Sequence, residues 1–383
     1  MILVLNSGSS SLKFALIDPA DSAGRRDGLI ERIGEPDGPP DHAAALRQAV
    51  DELSVDDLPL RAVGHRVVHG GDAYHAATLV DDTVVETVRR FVPLAPLHNP
   101  ANLLGIEVAR ALRPDLPHVA VFDTAFHTTL PSAAATYAID AEMARQYGVR
   151  RYGFHGTSHR FVARQTARLL GRPLEAVNSI VLHLGNGASA TAVRGGHSVE
   201  TSMGMSPVEG LVMGTRCGDL DPAVPGHLSR TAGLNQAAID DLLWHRSGLA
   251  GLCGDSDMRT VLARRASDDP AAVLAFDVYC HRIRKYVGAY HAVLGRLDAI
   301  AFSAGVGEHA AEVRHAALAG LEHWGIAVDP DRNAAPGGNA RLVSPEGAAV
   351  AVCVVPTDEE LAIAVEVTEL LDDDGFVGPR SSS

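Results

Sequence analysis

The chain has 383 residues, too many for one ordinary hydrophobic core, and this length favours two domains. A formal net charge of −14 argues against nucleic acid as a partner, because binding a polyanion needs a basic face. The 4 cysteines are far apart without a CxxC pair, which fits neither a disulfide framework nor a structural zinc site and indicates a reducing compartment. No stretch approaches transmembrane length and the first residues lack a signal-peptide pattern, so we expect a cytoplasmic protein without a membrane partner.

The first predicted elements are two strands joined by a polar turn. Apolar residues 2–5 and 12–17 predict the strands, and Asn6–Ser11 predicts the turn. Short side chains and Gly8 let the backbone approach an oxygen-rich ligand, while Lys13 adds positive charge. The alternative interpretation is an ordinary solvated hairpin turn.

A candidate substrate-binding segment is Val63–Gly71, whose pattern predicts a strand. Arg66 and Val68 are two residues apart and would point to the same face of that strand. A guanidinium beside a branched apolar side chain suits a carboxylate with a short alkyl tail. The alternative is a surface arginine on an edge strand.

Asp123 follows the apolar strand predicted at Val119–Phe122. Sheets of α/β proteins place ligand-facing residues at such strand ends, whereas the alternative role for this aspartate is to cap the next helix.

Two histidines, His155 and His159, precede a helix predicted at Arg160–Leu170. Their H-x3-H spacing occurs in metal sites, but Gly156 and the missing third ligand argue against zinc. Because a lone histidine more often makes structural hydrogen bonds, a catalytic role for His155 depends on its neighbours.

The hairpin pattern recurs near the middle of the chain. Residues 180–184 and 190–193 predict two strands, with the glycine-bearing tip Gly185–Ser189 between them. Aligning Gly8 with Gly187 matches the flanking apolar runs, which indicates two related α/β halves. Two such tips facing a shared cleft would cradle phosphate groups. A Walker A loop is excluded because the sequence contains no Gly-Lys dipeptide.

Two further segments are rich in glycine. Met213–Pro222 predicts a loop that places Arg216. Ala304–Glu308 predicts a turn between a strand and a helix at about 310–321, whose first N–H groups would favour an anion. The GxGxxA pattern that starts at Gly305 is also a short match to a dinucleotide-binding fingerprint, so a NAD-dependent oxidoreductase is an alternative function.

Together these segments resemble the acetate kinase family and, more broadly, the fold shared by sugar kinases, actin and heat-shock chaperones. The resemblance extends over nearly the whole chain and is carried by the motifs NSGSSSLKF, GHRVVHGG, LAPLHNP, FDTAFH, RYGFHGTSH, HLGNG, MGTRCGDLDP and PTDEELAIA. It implies an α/β protein with two similar ribonuclease H-like domains of the actin-like ATPase type, formed by residues 1–124 plus about 361–383 and by residues 125–360, with the active site in the cleft between them. It also implies a homodimer that transfers the γ-phosphoryl group of ATP reversibly to acetate, with Mg²⁺, giving acetyl phosphate and ADP.

The resemblance carries residue roles onto matching positions. Arg66 and Arg216 would bind the carboxylate and the transferring phosphoryl group, and His155 would stabilise the transition state. Asn186 would face the phosphates, and Asp123 would be the acid/base aspartate. The remaining implied residues are Asn6 and Glu359 for Mg²⁺ or Mn²⁺; Val68, Leu97, Phe154 and Pro207 for the acyl tail; and Lys13, His183, Leu184, Gly185, Asn186, Gly187, Asp257, Met258, Arg259, Gly305, Val306, Gly307, Glu308 and His309 for the nucleotide.

Two positions depart from the family pattern. His309 stands where the family commonly has asparagine, and Asp358 stands where some relatives have asparagine, which adds a carboxylate beside the implied metal ligand.

Alternative functions are a propionate or short-chain fatty acid kinase of the same family and an actin-like ATPase switch. Phosphoryl transfer through a phospho-enzyme is also open, although we favour direct in-line transfer. Residues from about Asp372 onward are acidic and then rich in Gly, Pro and Ser, which predicts a disordered tail.

Overall fold

The computed structural model of the protein describes residues 1–21, 24–53 and 59–373. The chain folds as two compact units. Unit 1 comprises Met1–Thr128 and the chain from Asp358 onward, and unit 2 comprises Thr129–Thr357. The predicted disordered tail lies outside the described residues from 374 onward, whereas Asp372 and Asp373 end the last helix. The predicted domain boundaries and the predicted cleft stay predictions.

In each unit the described strands form one six-stranded sheet. The strands of unit 1 are β1 (Ile2–Ser7), β2 (Ser11–Ile17), β3 (Arg26–Glu31), β4 (Ala62–Val67), β5 (Thr78–Leu79) and β6 (His118–Phe122). Those of unit 2 are β7 (Asn178–Leu184), β8 (Ala188–Arg194), β9 (His197–Thr201), β10 (Ala299–Ser303), β11 (Arg341–Leu342) and β12 (Ala351–Val354).

The two sheets have the same topology. Their strand orders are β3-β2-β1-β4-β6-β5 and β9-β8-β7-β10-β12-β11. In both sheets the first three strands are antiparallel, the next two pair in parallel, and the short edge strand is antiparallel. The prediction of two related α/β halves, made from the repeated hairpins, is therefore confirmed.

Helices cover the sheets. Unit 1 contains α1 (His42–Leu53), α2 (Asp82–Arg90), α3 (Asn99–Leu112) and the last helix, α15 (Glu359–Asp373). The helices of unit 2 are α4 (Ser132–Ala135), α5 (Ala141–Tyr147), α6 (Gly156–Leu169), α7 (Ala223–Ala232), α8 (Gln236–His245), α9 (Gly248–Cys253), α10 (Met258–Arg265), α11 (Pro270–Leu294), α12 (Ala304–His309), α13 (Ala311–Leu318) and α14 (Pro330–Ala334). In the described part of the chain, no helix is both long and apolar enough to cross a membrane.

Strand β1 is buried on both faces because helices pack on each side of the sheet. Successive side chains of a strand point to opposite faces. Leu3 and Leu5 accordingly join the core formed with α1, whereas Ile2 and Val4 join the core formed with α15. This packing places Asn6, near the end of β1, and Glu359, the first residue of α15, in elements that share one core.

A buried histidine pair lies between β4 and β6. His118 Nε2 donates to the Arg113 carbonyl at 3.0 Å, so its Nδ1 accepts from His65 Nε2 at 2.9 Å. Burial, together with the charge of His118, lowers the pKa of His65 well below its usual value, and burial lowers the pKa of His118. Both rings are therefore neutral in the folded protein at neutral pH.

This pair predicts that acid destabilises the fold. An unfolded histidine titrates near pH 6.5, so below that pH the unfolded chain binds more protons than the folded chain. The free energy of unfolding should fall by at most about 1.4 kcal/mol per pH unit for each histidine as the pH drops below about 6.5. Urea unfolding as a function of pH measures this slope. A His65→Leu/His118→Leu double variant should have a flatter slope, and the exposed His315→Gln should not. An unchanged slope in the double variant would contradict the assignment.

Candidate active site

The predicted site residues of unit 1 include a partly buried ion pair. Arg66, on β4, donates from Nε to Asp123 Oδ1 at 3.1 Å and from Nη2 to Asp123 Oδ2 at 2.7 Å. Asp123 directly follows β6, the parallel neighbour of β4. The Arg66 side chain is 20% exposed and that of Asp123 only 3%. The pair is thus bidentate, and a part of the guanidinium stays accessible.

Charges around Arg66 keep it ionised. Burial alone would lower the pKa of Arg66, but the carboxylates of Asp123 and Glu359 outweigh burial and raise it. Burial raises the pKa of Asp123, and the charge and hydrogen bonds of Arg66 oppose this rise. Glu359 Oε2 lies 4.0 Å from Arg66 Nε. The structure therefore brings together three of the predicted residues: Arg66, Asp123 and Glu359.

The strand predicted over Val63–Gly71 is shorter than expected, because β4 ends at Val67. Two asparagines of α3 replace the strand hydrogen bonds after that point. Asn102 Oδ1 accepts from the Val68 amide at 3.0 Å, and Asn99 accepts from the His69 amide and donates to the His69 carbonyl. Val68 is 8% exposed, and these contacts fix its backbone.

The sequence reasoning missed both asparagines as positioning residues. The LHNP motif, where a proline follows Asn99 at the start of α3, is a signal for Asn99, and Asn102 lies three residues further along the same helix. Leu97, predicted for the acyl tail, lies just before this helix and is 50% exposed.

The three acids at the start of the last helix have different partners. Asp358 pairs with Arg25 at 2.6 Å and Glu360 with Lys13 at 2.6 Å. The carboxylate that departs from the family pattern, Asp358, is therefore neutralised by an arginine. Lys13, predicted to contact the nucleotide, is held by Glu360, and its nucleotide role stays a prediction.

The residues implied for the metal fit a magnesium ion in their chemistry. Mg²⁺ prefers oxygen ligands and is usually bound by one or two carboxylates together with substrate phosphates and waters. Asn6 offers an amide oxygen, and Glu359 has the longest ion pair of the three acids, 4.0 Å to Arg66 Nε against 2.6 Å for Asp358 and for Glu360. No group of three or more His, Cys, Asp or Glu in the described ranges forms a ready-made metal cage.

The predicted site residues of unit 2 include two stacked histidines. His155 precedes α6 in a left-handed conformation with φ of 57°, which is sparsely populated for residues with a Cβ. Its Nδ1 lies 2.9 Å from Ser189 Oγ, and its ring stacks on His183 at 4.3 Å. His183 Nδ1 in turn lies 2.8 Å from Ser158 Oγ. The serines orient both rings and were missed by the sequence reasoning.

The same serine contacts both histidines of the H-x3-H spacing. His159 Nε2 lies 2.7 Å from Ser189 Oγ, the hydroxyl that also contacts His155. His159 is fully buried inside α6, which begins at Gly156 and not at Arg160 as predicted. The two histidines therefore share a serine.

Arg216 lies beside the second glycine tip. A Cβ atom at Gly187 would lie 3.4 Å from Arg216 Nη1 and 3.5 Å from His155 Cε1, so glycine leaves room between these groups. Arg216 Nη1 donates to the Pro207 carbonyl at 2.9 Å. Among the described residues it has no carboxylate within ion-pair distance, and burial lowers the pKa of its guanidinium. A partly buried cation without a carboxylate partner in the described chain is suited to bind an anion.

A cavity of about 470 Å³ adjoins the tip. It is lined by Gly185, Asn186, Gly214, Leu249, Ser256, Asp257, Met258, Arg259, Leu262, Tyr279, Gly305, Val306, His309 and Ala310. This volume is in the range of small-molecule sites. Asp257 and Arg259 pair with each other at 2.5 Å at the start of α10. Most of the residues predicted to bind the nucleotide thus meet in one cavity of unit 2.

The glycine turn predicted at Ala304–Glu308 is wrong, because these residues form α12, and a separate helix, α13, follows it. Gly307 allows this, since a Cβ there would lie 3.3 Å from the Phe302 carbonyl carbon. The buried Arg314 donates to the carbonyls of Gly307 and Glu308, at 2.9 Å each, and so anchors the end of α12. Glu308 Oε1 accepts from the Thr357 amide at 3.1 Å.

Some predicted residues are structural neighbours of the site. Leu184 and Phe154 are buried at 0% and 2% exposure. Phe154 precedes His155, and Pro207 contributes the carbonyl that binds Arg216. Each unit thus carries its own group of predicted site residues, and the roles of these residues stay predictions.

Comparison with known proteins decides the family. The model of the acetokinase family matches residues 1–365. The chain belongs to the acetokinase family. The acetate kinase of Streptomyces coelicolor is 58% identical over 397 residues, which cover 98% of each chain. That of Streptomyces griseus is also 58% identical, over 98% of this chain and 97% of the relative.

Solved structures of the acetokinase family have the same fold. The crystal structure of Porphyromonas gingivalis acetate kinase superposes with a TM-score of 0.90 at 38% identity, covering 97% of this chain and 99% of that one. A propionate kinase from Francisella tularensis superposes with a TM-score of 0.89 at 39% identity, covering 95% and 98%. The predicted resemblance and the predicted fold class, two similar α/β domains, are confirmed. The oxidoreductase and ATPase-switch alternatives are left without support.

Proposed function

We propose that the protein transfers the γ-phosphoryl group of ATP to acetate and forms acetyl phosphate and ADP in a reversible reaction. The observation that carries this proposal is Arg216, a partly buried guanidinium without a carboxylate partner in the described chain, beside His155 and the glycine tip. Phosphoryl transfer needs positioning and charge stabilisation more than covalent help from the protein. An uncompensated cation supplies that stabilisation.

The acceptor carboxylate is assigned to Arg66. Its guanidinium is oriented by two hydrogen bonds to Asp123 and stays 20% exposed. A carboxylate acceptor is already ionised at neutral pH, so the reaction needs no general base. We therefore assign Asp123 to holding Arg66 and not to proton transfer. Val68, fixed by Asn102, and Leu97, Phe154 and Pro207 are assigned to the acyl tail.

The phosphoryl group is assigned to Arg216, His155 and Asn186. A Cβ atom at Gly187 would lie 3.4 Å from Arg216 Nη1 and 3.5 Å from His155 Cε1, so both side chains lie beside this glycine. Asn186 is the preceding residue of the same tip. The nucleotide is assigned to the 470 Å³ cavity, whose lining includes the α12 residues Gly305, Val306 and His309. Lys13, His183 and Glu308 complete the predicted nucleotide set. These groups support direct in-line transfer, since none of them must form a covalent bond to phosphorus.

Asn6 and Glu359 are assigned to Mg²⁺ or Mn²⁺. When bound with ATP, the ion would neutralise charge on the phosphate oxygens. Glu359 is suited to this role because Asp358 and Glu360 already pair with Arg25 and Lys13.

The cellular setting follows from the same proposal. Acetyl phosphate is an activated acyl donor, and its formation fits a cytoplasmic route to acetyl-CoA. The free cysteines, with no disulfide in the described chain, support a reducing compartment. A homodimer is proposed by analogy with the family.

The deciding experiment measures ADP release from ATP and Mg²⁺ with and without acetate, with acetyl phosphate trapped as its hydroxamate. Acetate-dependent ADP and hydroxamate in equal amounts support the proposal. ATP hydrolysis that is independent of acetate would contradict it. Parallel reactions with propionate and butyrate test the alternative acceptor, a short-chain fatty acid larger than acetate.

Replacing Val68 with alanine tests the acyl pocket. Loss of the branched side chain enlarges the space for the alkyl tail. The ratio of kcat/KM for propionate to kcat/KM for acetate should therefore rise, by a factor equivalent to about 1–3 kcal/mol at most. Competition between the two acids measures the ratio. Ala76→Gly, an exposed position outside the site, is the matched control. An unchanged ratio in the Val68→Ala variant would show that Val68 does not line the pocket.

A further inference from the structure

Trp244 packs on the cation of the proposed phosphoryl site. The guanidinium carbon of Arg216 lies 5.7 Å from the centroid of the Trp244 ring. Cation–π contacts act within about 6 Å of the ring centroid, and tryptophan gives the strongest of them. The nucleotide cavity described above does not include Trp244 among its lining residues.

The backbone around Trp244 also holds the loop that carries Arg216. Thr215 Oγ1 donates to the Trp244 carbonyl at 3.0 Å. The Cys217 amide donates to the Leu243 carbonyl at 3.2 Å, and the Ser247 amide to the Thr215 carbonyl at 2.9 Å. The end of α8 and the residues after it thus bind the loop on both sides of Arg216. Because these contacts use main-chain atoms of Leu243, Trp244 and Ser247, a change of the Trp244 ring leaves them in place.

The two arginines of the site are stabilised in opposite ways. Arg66 uses two of its N–H groups on Asp123. Arg216 has one hydrogen bond to the Pro207 carbonyl and a contact with Met213 Sδ at 3.6 Å, without a carboxylate in the described chain. A carboxylate would neutralise the charge and occupy the donors, whereas an aromatic face stabilises a cation without accepting a conventional hydrogen bond.

We infer that Trp244 is a positioning residue that holds the Arg216 guanidinium by its ring face and leaves N–H donors for an anionic phosphoryl group. The catalytic consequence of this inference rests on the proposed function. The contact itself implies that the surroundings of the Trp244 ring, and so its fluorescence, change when an anion binds Arg216. The sequence contains 2 tryptophans, and the other, Trp324, is 40% exposed and stacks on His291.

The kinetic test compares ring substitutions. Trp244→Leu should lower kcat by about tenfold or more, with little change in KM for ATP. The reason is that the Trp244 ring positions the Arg216 guanidinium for the transition state and does not line the nucleotide cavity. Trp244→Phe keeps an aromatic face and should recover most of the loss. Trp324→Phe is the matched control and should match the unmodified protein. Equal kcat in Trp244→Leu and Trp244→Phe would overturn the inference.

A spectroscopic test does not depend on turnover. In the Trp324→Phe variant, Trp244 is the remaining tryptophan, and its emission, excited selectively over that of tyrosine, should change when inorganic phosphate or acetyl phosphate is added. Adding Arg216→Ala to that variant should abolish the change. Trp244 emission that stays unchanged when either anion is added would overturn the inference, even if Trp244→Leu failed to fold. A phosphate response in a protein without acetate-dependent turnover would instead refute the proposed function and leave the contact standing.

Discussion

Replacing Arg216 with alanine is expected to lower kcat by about 10²–10³, because the variant loses a preorganised charge aimed at the transferring phosphoryl group. Arg216 is suited to this effect since it is partly buried and has no carboxylate to neutralise it within the described residues. The substitution should cost little stability, since removal of a partly buried cation without a carboxylate partner in the described chain leaves no orphaned anion. Steady-state kinetics with acetate and ATP, beside thermal unfolding, measure both quantities.

Two variants sharpen this experiment. Arg216→Lys keeps the charge but loses the planar fork of donors, so it should recover only a part of kcat. Arg246→Ala removes an arginine at the end of α8 that is exposed and pairs with Asp241, and it should keep full activity. Near-native turnover in Arg216→Ala would refute the role assigned to Arg216.

Replacing Arg66 with alanine should damage both stability and catalysis. The change leaves the Asp123 carboxylate buried without its partner, which typically costs about 3–5 kcal/mol of unfolding free energy. It also removes the proposed carboxylate-binding group and should lower kcat by about 10²–10³. Urea unfolding and steady-state kinetics separate the two effects.

A double variant distinguishes structural from catalytic loss. In Arg66→Met/Asp123→Asn no buried charge is left unpaired, so most of the lost stability should return. Activity should not return, because the guanidinium is still absent. Arg61→Ala, which breaks the exposed pair with Asp372, is the control and should change stability by at most about 1 kcal/mol. Recovered turnover in the double variant would show that Arg66 acts only through folding.

The sequence predicted the parts of the molecule that depend on local patterns. Apolar runs on either side of a short polar tip predict β1 with β2 and β7 with β8, and their repetition predicted the two matching sheets. Asp123 was correctly placed at a strand end, and Arg216 in a loop. The family motifs indicated which residues form the candidate site, and the acetokinase assignment agrees with them.

Local patterns failed where a segment depends on distant partners. Val68 was predicted to continue a strand, but asparagines about thirty residues away hold its backbone instead. The glycines of α12 suggested a turn, although packing against Phe302 and anchoring by the buried Arg314 make a helix possible there. In both cases a tertiary contact overrides the intrinsic tendency of the residues.

By itself, then, the sequence determined the strand–turn units, their duplication and the family, because these follow from residue periodicity and from motifs that are contiguous in the chain. Only the tertiary structure decided which charges are paired. Arg66 meets Asp123 across two parallel strands, whereas Arg216 meets the ring of Trp244 and no described carboxylate. The physical reason is that the energy of a buried charge depends on neighbours brought together by packing, and residue order does not specify those neighbours.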